Sequence, residues 1–159
     1  MNEITMMLLP RVENLISRYV HCVDDYRLAE IPDFFTDDAL YRIIPRRNYE
    51  QGHLVGIMEC DGKGMIHDRM SSLNRANIFE PHRYRHMVSA TVIRGAEGGE
   101  IRADTNFFVA RIMESGEFSL FTTGVYRDVI VEKEGQLLFK ERIVVCDSTR
   151  VDSLLALPI

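Results

Sequence analysis

The sequence predicts an α+β fold: a strongly bent, mostly antiparallel sheet, cone-like in form, covered on one face by N-terminal helices. Three observations lead there. Residues 4–23 carry an apolar stripe of helical period. Residues 85–147 divide into four extended runs at short, polar, glycine-bearing turns. The segments between them read, in order, as a short helix, a strand and another helix.

In the first helix Leu8, Val12, Leu15, Ile16, Tyr19 and Val23 recur at three- and four-residue steps, with Arg11, Asn14 and Arg18 opposite. Pro10 reads as close to its start, where a missing N–H costs little. A second helix is expected over Leu28–Phe35, with Leu28, Ile31, Phe34 and Phe35 as its apolar face. Pro32 suits a first turn, which would start the regular part near Ala29 or Glu30. Thr36-Asp37-Asp38 ends it. Ala39–Ile44 is a strand bounded by Pro45. Arg46–Gly56 is polar and irregular, and Ile57–Cys60 is a short strand. Asp61-Gly62-Lys63-Gly64 turns into a third helix over 64–77, with Met65, Ile66, Met70 and Leu73 inward and Lys63, His67, Arg69 and Arg75 outward.

The four long runs are His86–Arg94, Glu100–Met113, Phe118–Val131 and Gln136–Asp147. At about 9 to 14 residues they exceed the usual ~5 to 6. Hairpins of that length twist and bend, and one face needs cover. The tail 148–159 is apolar at Val151, Leu154, Leu155, Leu157 and Ile159, and is expected to pack on its own domain or on a partner. The whole reads as a single domain over 1–159: a helical part to residue 80, the meander over 85–147, and the tail.

Composition narrows the function. Apolar residues make up 46% and charged residues 27%, ordinary for a soluble globular protein. A formal net charge of −5 argues against a nucleic-acid partner, because phosphate binding wants a basic face. Cys22, Cys60 and Cys146 are scattered and odd in number, the usage of reduced intracellular thiols. There is no apolar run long enough for a membrane span, and acidic Glu3 without a basic segment argues against a signal peptide. The expected location is the cytoplasm.

Candidate chemistry is sparse. His82 and His86 are four apart, a chelating pair on a helix, but Pro81 precedes them and a strand follows. No two-histidine, one-carboxylate iron motif and no paired Cys–His Rieske motif is present. Gly62-Lys63-Gly64 lacks phosphate-loop spacing, and no serine occupies a nucleophile elbow. Asp24 and Asp25 are possible general bases; their plain reading is a solvated helix end. A pocket in the cone would draw on Asp25, Tyr26, Tyr41 and His86. Arg83-Tyr84-Arg85-His86 and Arg46-Arg47 read equally well as partner contacts or as solvated loops.

Several segments, in order along the chain, carry a resemblance. They are Asp33-Phe34-Phe35-Thr36-Asp37-Asp38-Ala39 with Tyr41, Arg46-Arg47-Asn48-Tyr49-Glu50-Gln51-Gly52, and Met65 to Arg69. Ala76-Asn77-Ile78, Arg83-Tyr84-Arg85-His86, Gly124-Val125-Tyr126-Arg127-Asp128, Glu141-Arg142 to Cys146-Asp147-Ser148 and Leu155-Ala156-Leu157-Pro158-Ile159 complete the set. In these the chain resembles the small (beta) subunit of aromatic-ring-hydroxylating dioxygenases, most of all the branch acting on salicylate, anthranilate or terephthalate. The resemblance implies a nuclear-transport-factor-2-like cone and a structural role without catalytic, cofactor-binding or metal-binding residues of its own. It implies a large (alpha) subunit carrying a Rieske 2Fe-2S cluster and mononuclear Fe(II), and a homotrimer of this chain within an α3β3 hexamer. Candidate partner contacts are Arg46, Arg47, Tyr49, Arg83, Tyr84 and Arg85, with trimer contacts along the long strands and their ends. The same fold houses isomerases, dehydratases and cyclases, so a stand-alone pocket enzyme and a non-catalytic ligand-binding module are the alternatives.

Overall fold

The computed structural model describes residues 3–53, 55–75, 81–149 and 157–159. The first helix, α1, spans Glu3–Asp24. Val12, Leu15, Ile16, Tyr19, Val20 and Val23 are buried along it, as the stripe requires. Pro10 lies inside this helix rather than in its first turn, because the helix begins at Glu3. The second helical segment is a 3-10 helix over Leu28–Phe34. Leu28, Ile31 and Phe34 stand three residues apart, the period at which 3-10 side chains align, and all three are buried. Pro32 is its fifth residue, not part of a first turn.

Strand β1 runs over Phe35–Pro45 and takes in the Thr36-Asp37-Asp38 segment through a register shift between Phe35 and Leu40. Five residues of the expected irregular segment form a short helix, α2 (Arg46–Glu50). Strand β2 (Met58–Asp61) and helix α3 (Lys63–Arg75) follow. Ile66, Met70 and Leu73 of α3 face the core, whereas Met65 is half exposed. The helix end expected at Asn77, the Ala76-Asn77-Ile78 segment, and the tail residues Val151, Leu154, Leu155 and Ala156 lie outside the described residues.

The meander is β3 (His82–Glu97), β4 (Glu100–Met113), β5 (Phe118–Lys133) and β6 (Gln136–Cys146). Its strands reach further into the turns than the sequence indicated. Glu97 pairs with Glu100 across Gly98-Gly99, and Lys133 with Gln136 across Glu134-Gly135. All four turn residues have positive φ, the signature of a two-residue hairpin whose twist matches that of its strands. The sheet order is β2-β1-β6-β5-β4-β3. The strands pair antiparallel except β1 with β6, which are parallel.

Register shifts within β3, between β4 and β5, and between β5 and β6 bend the sheet around α1. At Gly124 the inner face has no room for a side chain. A Cβ there would lie 2.0 Å from the Val145 carbonyl oxygen and 2.8 Å from the Phe107 ring. The core inside the cone joins α1, the 3-10 helix, α3 and the inward residues of all six strands, together with Leu157 and Ile159. The tail residues described therefore pack on this chain.

Candidate functional site

Among the described residues, three polar clusters sit inside the cone. The first joins the last residue of α1 to β3. Asp24 is 5% exposed and His86 7%. Asp24 Oδ2 accepts the backbone N–H of His86 at 2.9 Å, and Oδ1 lies 2.6 Å from its Nδ1. His86 Nε2 is buried with no hydrogen-bond partner among the described residues. A chemically useful dyad would present that nitrogen to a substrate.

The second cluster surrounds residues 157–159. The Tyr41 hydroxyl accepts the Ile159 N–H at 3.0 Å and donates to the Ile159 carbonyl at 3.1 Å. Tyr19 donates to the same carbonyl at 3.5 Å. Leu157, Pro158 and Ile159 are all buried. Beside them, Tyr19, Ile31, Phe35, Tyr41, Cys60, Ile66 and Met70 enclose a void of only about 10 Å³, at most one water.

The third is the ion pair of Arg142 and Asp128, opposite each other on β6 and β5. Arg142 Nε and Nη2 each donate to an Asp128 oxygen at 3.0 Å, and both side chains are sealed from solvent. The guanidinium carbon lies 4.0, 4.1 and 4.4 Å from the ring centres of Tyr126, Phe139 and Tyr19. Burial pushes the Asp128 carboxyl above its ordinary range despite the attraction of Arg142. Burial also pushes Tyr19 up to about 12, and Tyr41 and Tyr126 well above an ordinary phenol. These phenols stay protonated at neutral pH and are not bases; Tyr19 and Tyr41 act as hydrogen-bond donors, whereas the Tyr126 hydroxyl is buried without a partner among the described residues.

The pocket residues expected from sequence do not converge. Asp25 is exposed and ion-paired to Arg27 at 3.6 Å, and Tyr26 is 38% exposed in a left-handed backbone conformation. Tyr41 and His86 are interior but lie on β1 and β3, with three strands between them. The interior carboxylate is Asp24, so the reading of Asp24-Asp25 as a solvated end holds for Asp25 alone. Helical period carries the signal that separates them: Asp24 continues the row of Ile16 and Val20, whereas Asp25 continues that of exposed His21. Asp128 was detectable in the same way, since it shares strand parity with buried Gly124, Tyr126 and Ile130.

Arg83-Tyr84-Arg85-His86 is strand rather than loop, and its side chains alternate. Arg83 and Arg85 face out, while Tyr84 is 2% exposed. Tyr84 is therefore not a surface contact: it stacks on Phe121 inside the cone, with ring centres 5.0 Å apart. His82 and His86 share the inner face but stand ~13 Å apart along a strand, too far to chelate one ion. Among the described residues no three His, Cys, Asp or Glu side chains cluster as a metal site.

On the outer face, Arg46 of α2 bonds Asp147 through Nε at 2.9 Å, and Arg47 is exposed. Tyr49 is 39% exposed under the Arg127 guanidinium. Further along, cross-strand pairing sets Arg83 beside Ile112 and Phe118, Arg85 beside Ala110 and Leu120, and Met87 beside Phe108. Phe118 is 68%, Leu120 58% and Met87 56% exposed. Contiguous apolar exposure flanked by arginines has the composition of a protein–protein contact.

Comparison with known proteins bears on both faces. Residues 10–143 match the SnoaL-like domain family. The chain is 39% identical over 145 residues to the anthranilate 1,2-dioxygenase small subunit of Burkholderia cepacia, covering 91% of this chain and 90% of that protein. It is 41% identical over 141 residues to subunit beta 1 of the terminal oxygenase component of terephthalate 1,2-dioxygenase from Comamonas sp, covering 89% and 92%. A crystal structure from Novosphingobium aromaticivorans, assigned as the beta subunit of an aromatic-ring-hydroxylating dioxygenase, superposes with a TM-score of 0.90 at 34% identity, covering 99% of this chain and 100% of that one.

Proposed function

From the premise that this chain belongs to the small (beta) subunit family of aromatic-ring-hydroxylating dioxygenases, we propose that it is a structural subunit. It supports assembly of a catalytic large subunit in the breakdown of aromatic compounds. The observation that carries the reading is identity near 40% to two dioxygenase small subunits over about nine-tenths of the chain. The interior supports it: residues 157–159 occupy the cone beside Tyr41, and the void left there holds no substrate-sized molecule.

In this proposal the Rieske cluster and mononuclear iron(II) belong to the large subunit. The assembly is a trimer of this chain within an α3β3 hexamer, located in the cytoplasm. The outer face with Phe118, Leu120, Met87, Arg83 and Arg85, and the α2 segment with Arg46, Arg47 and Tyr49, are the contact surfaces we assign. The stand-alone pocket enzyme rests on the Asp24–His86 pair, but His86 Nε2 faces a packed interior rather than an open cleft.

Co-expression with a large subunit of this dioxygenase family, followed by size measurement and iron analysis, tests the proposal. The expected result is a stable complex whose iron and sulfide stay with the large subunit when the chains are separated. Stoichiometric iron on this chain alone, or failure to associate with any iron–sulfur large subunit, would contradict it.

A further inference from the structure

A groove of about 270 Å³ opens on the outer face of the sheet, between Tyr49 of α2 and residues of β3 to β6. Its cations outnumber its acids, on a chain whose net charge is −5. Arg94, Arg102 and Arg127 line it, against Asp104 and Glu141; Asp128, also in its wall, turns its carboxylate inward to Arg142. One oxygen of Asp104 accepts Arg94 Nε at 2.7 Å and Arg127 Nη1 at 2.9 Å. A single carboxylate does not saturate two guanidiniums, each with five donors. The side chains of Arg94 and Arg102 are 60% and 67% exposed, so their remaining donors are open to a further acceptor. Val129 and Ile143 give the same groove an apolar floor beside the Tyr49 ring.

The opposite end of the meander carries the complement. The β3–β4 and β5–β6 hairpins turn at the end nearer the groove, and the β4–β5 hairpin turns at the other. That turn, Glu114-Ser115-Gly116-Glu117, is exposed throughout, holds two carboxylates and no cation, and runs into Phe118, itself 68% exposed. A carboxylate followed by an exposed aromatic ring matches a groove of arginines over an apolar floor. A cyclic trimer closes through a heterologous contact, in which one patch of each copy meets a different patch of the next. We propose that the 114–118 turn of one copy seats in the arginine groove of the next, with Glu117 on Arg94 and Arg102 and Phe118 against Tyr49, Val129 and Ile143. The contact rests on the trimeric assembly proposed for this chain and assigns the two surfaces that close it.

The test uses the full chain with Ser115→Cys and Glu141→Cys, co-expressed with a large subunit of this dioxygenase family, so that every residue assigned to the contact is kept. Neither position is buried, and circular dichroism checks that the variant is folded. Cys22, Cys60 and Cys146 are buried and do not compete for the reagent. Glu141 stands opposite Val129, and Ser115 lies beyond the start of β5, roughly 30 Å of strand away, so a short bismaleimide joins the two positions only between copies. Peptide mass spectrometry is expected to find the 115–141 link roughly tenfold above the link formed by a control pair, Ser115→Cys with His67→Cys on the exposed side of α3. A complex that holds three copies by native mass spectrometry but shows no 115–141 link, or shows an equal link in the control, overturns the contact and leaves the trimer standing. A wild-type complex without three copies overturns both.

Discussion

Asp24 at the end of α1 holds both the ring and the backbone of His86 on β3, through contacts of 2.6 and 2.9 Å. A carboxylate placed there ties the helix to the edge strand of the sheet, because β3 has β4 as its one neighbour in the strand order. Asp24→Asn turns one of the two acceptor atoms into a donor and leaves a buried N–H facing another. It is expected to lower unfolding free energy by roughly 2–4 kcal/mol. Asp25→Asn, at an exposed side chain, is expected to stay within about 0.5 kcal/mol. Urea titrations of the two variants side by side check the contrast; equal effects would mean that Asp24 is not the tie.

Gly124 is fixed by space, not by backbone conformation. Its added Cβ would meet a carbonyl oxygen of β6 at 2.0 Å, which a strand locked in register on both sides does not yield. Gly124→Ala is expected to destabilise the fold by ~3 kcal/mol or more, or to prevent soluble expression. A thermal melt close to wild type would show that β5 and β6 can separate locally at this point.

The helix and meander periods were legible because each is a local pattern with its own punctuation. Leu8 to Val23 fixed α1, and the glycine turns fixed β4 to within a residue. Two kinds of feature were not legible. The parallel pairing of β1 with β6 joins segments about a hundred residues apart, and no local period encodes it. Tyr84 sits between two arginines in a run that reads as a polar loop; only once that run is known to be strand does alternation turn Tyr84 inward. The carboxylates were visible as residues but needed a face. Asp24 and Asp128 fall on apolar rows, Asp25 does not, and proximity in sequence had obscured the distinction.

Asp147 links stability to pH on the acid side. Partial burial alone would raise its pKa, but hydrogen bonds from Arg46 and Thr123 outweigh that and hold it below the ordinary carboxylate range. An unfolded aspartate titrates near ~3.9. The contribution is therefore present above that value and is lost as pH falls through the lower, folded one. Asp147→Asn is expected to flatten the acid limb of the stability profile below about pH 5 while leaving the slope between pH 7 and 8 unchanged. An acid limb as steep as wild type would exclude this linkage.

Burial pushes the thiols of Cys22 and Cys146 up to about 11. The unfolded thiol ionises near ~8.5, so the stability held below that pH declines as pH rises toward the folded value. Chemical denaturation at a series of alkaline pH values should show that decline, and Cys22→Ala with Cys146→Ala should reduce it. At pH 8 both native thiols are expected to resist alkylation until the chain unfolds. Rapid labelling of either in the folded chain would contradict the packing described.

In the proposed assembly the contact surface of this chain is the outside of the sheet, where Phe118, Leu120 and Met87 stand exposed beside Arg83 and Arg85. The most direct measurement is native mass spectrometry of the large subunit co-expressed with a Phe118→Ser, Leu120→Ser variant, after circular dichroism has shown that the variant is folded. The expected result is that the assembly formed by the wild-type chain is lost or strongly reduced with this variant. A complex of unchanged mass and abundance would contradict it.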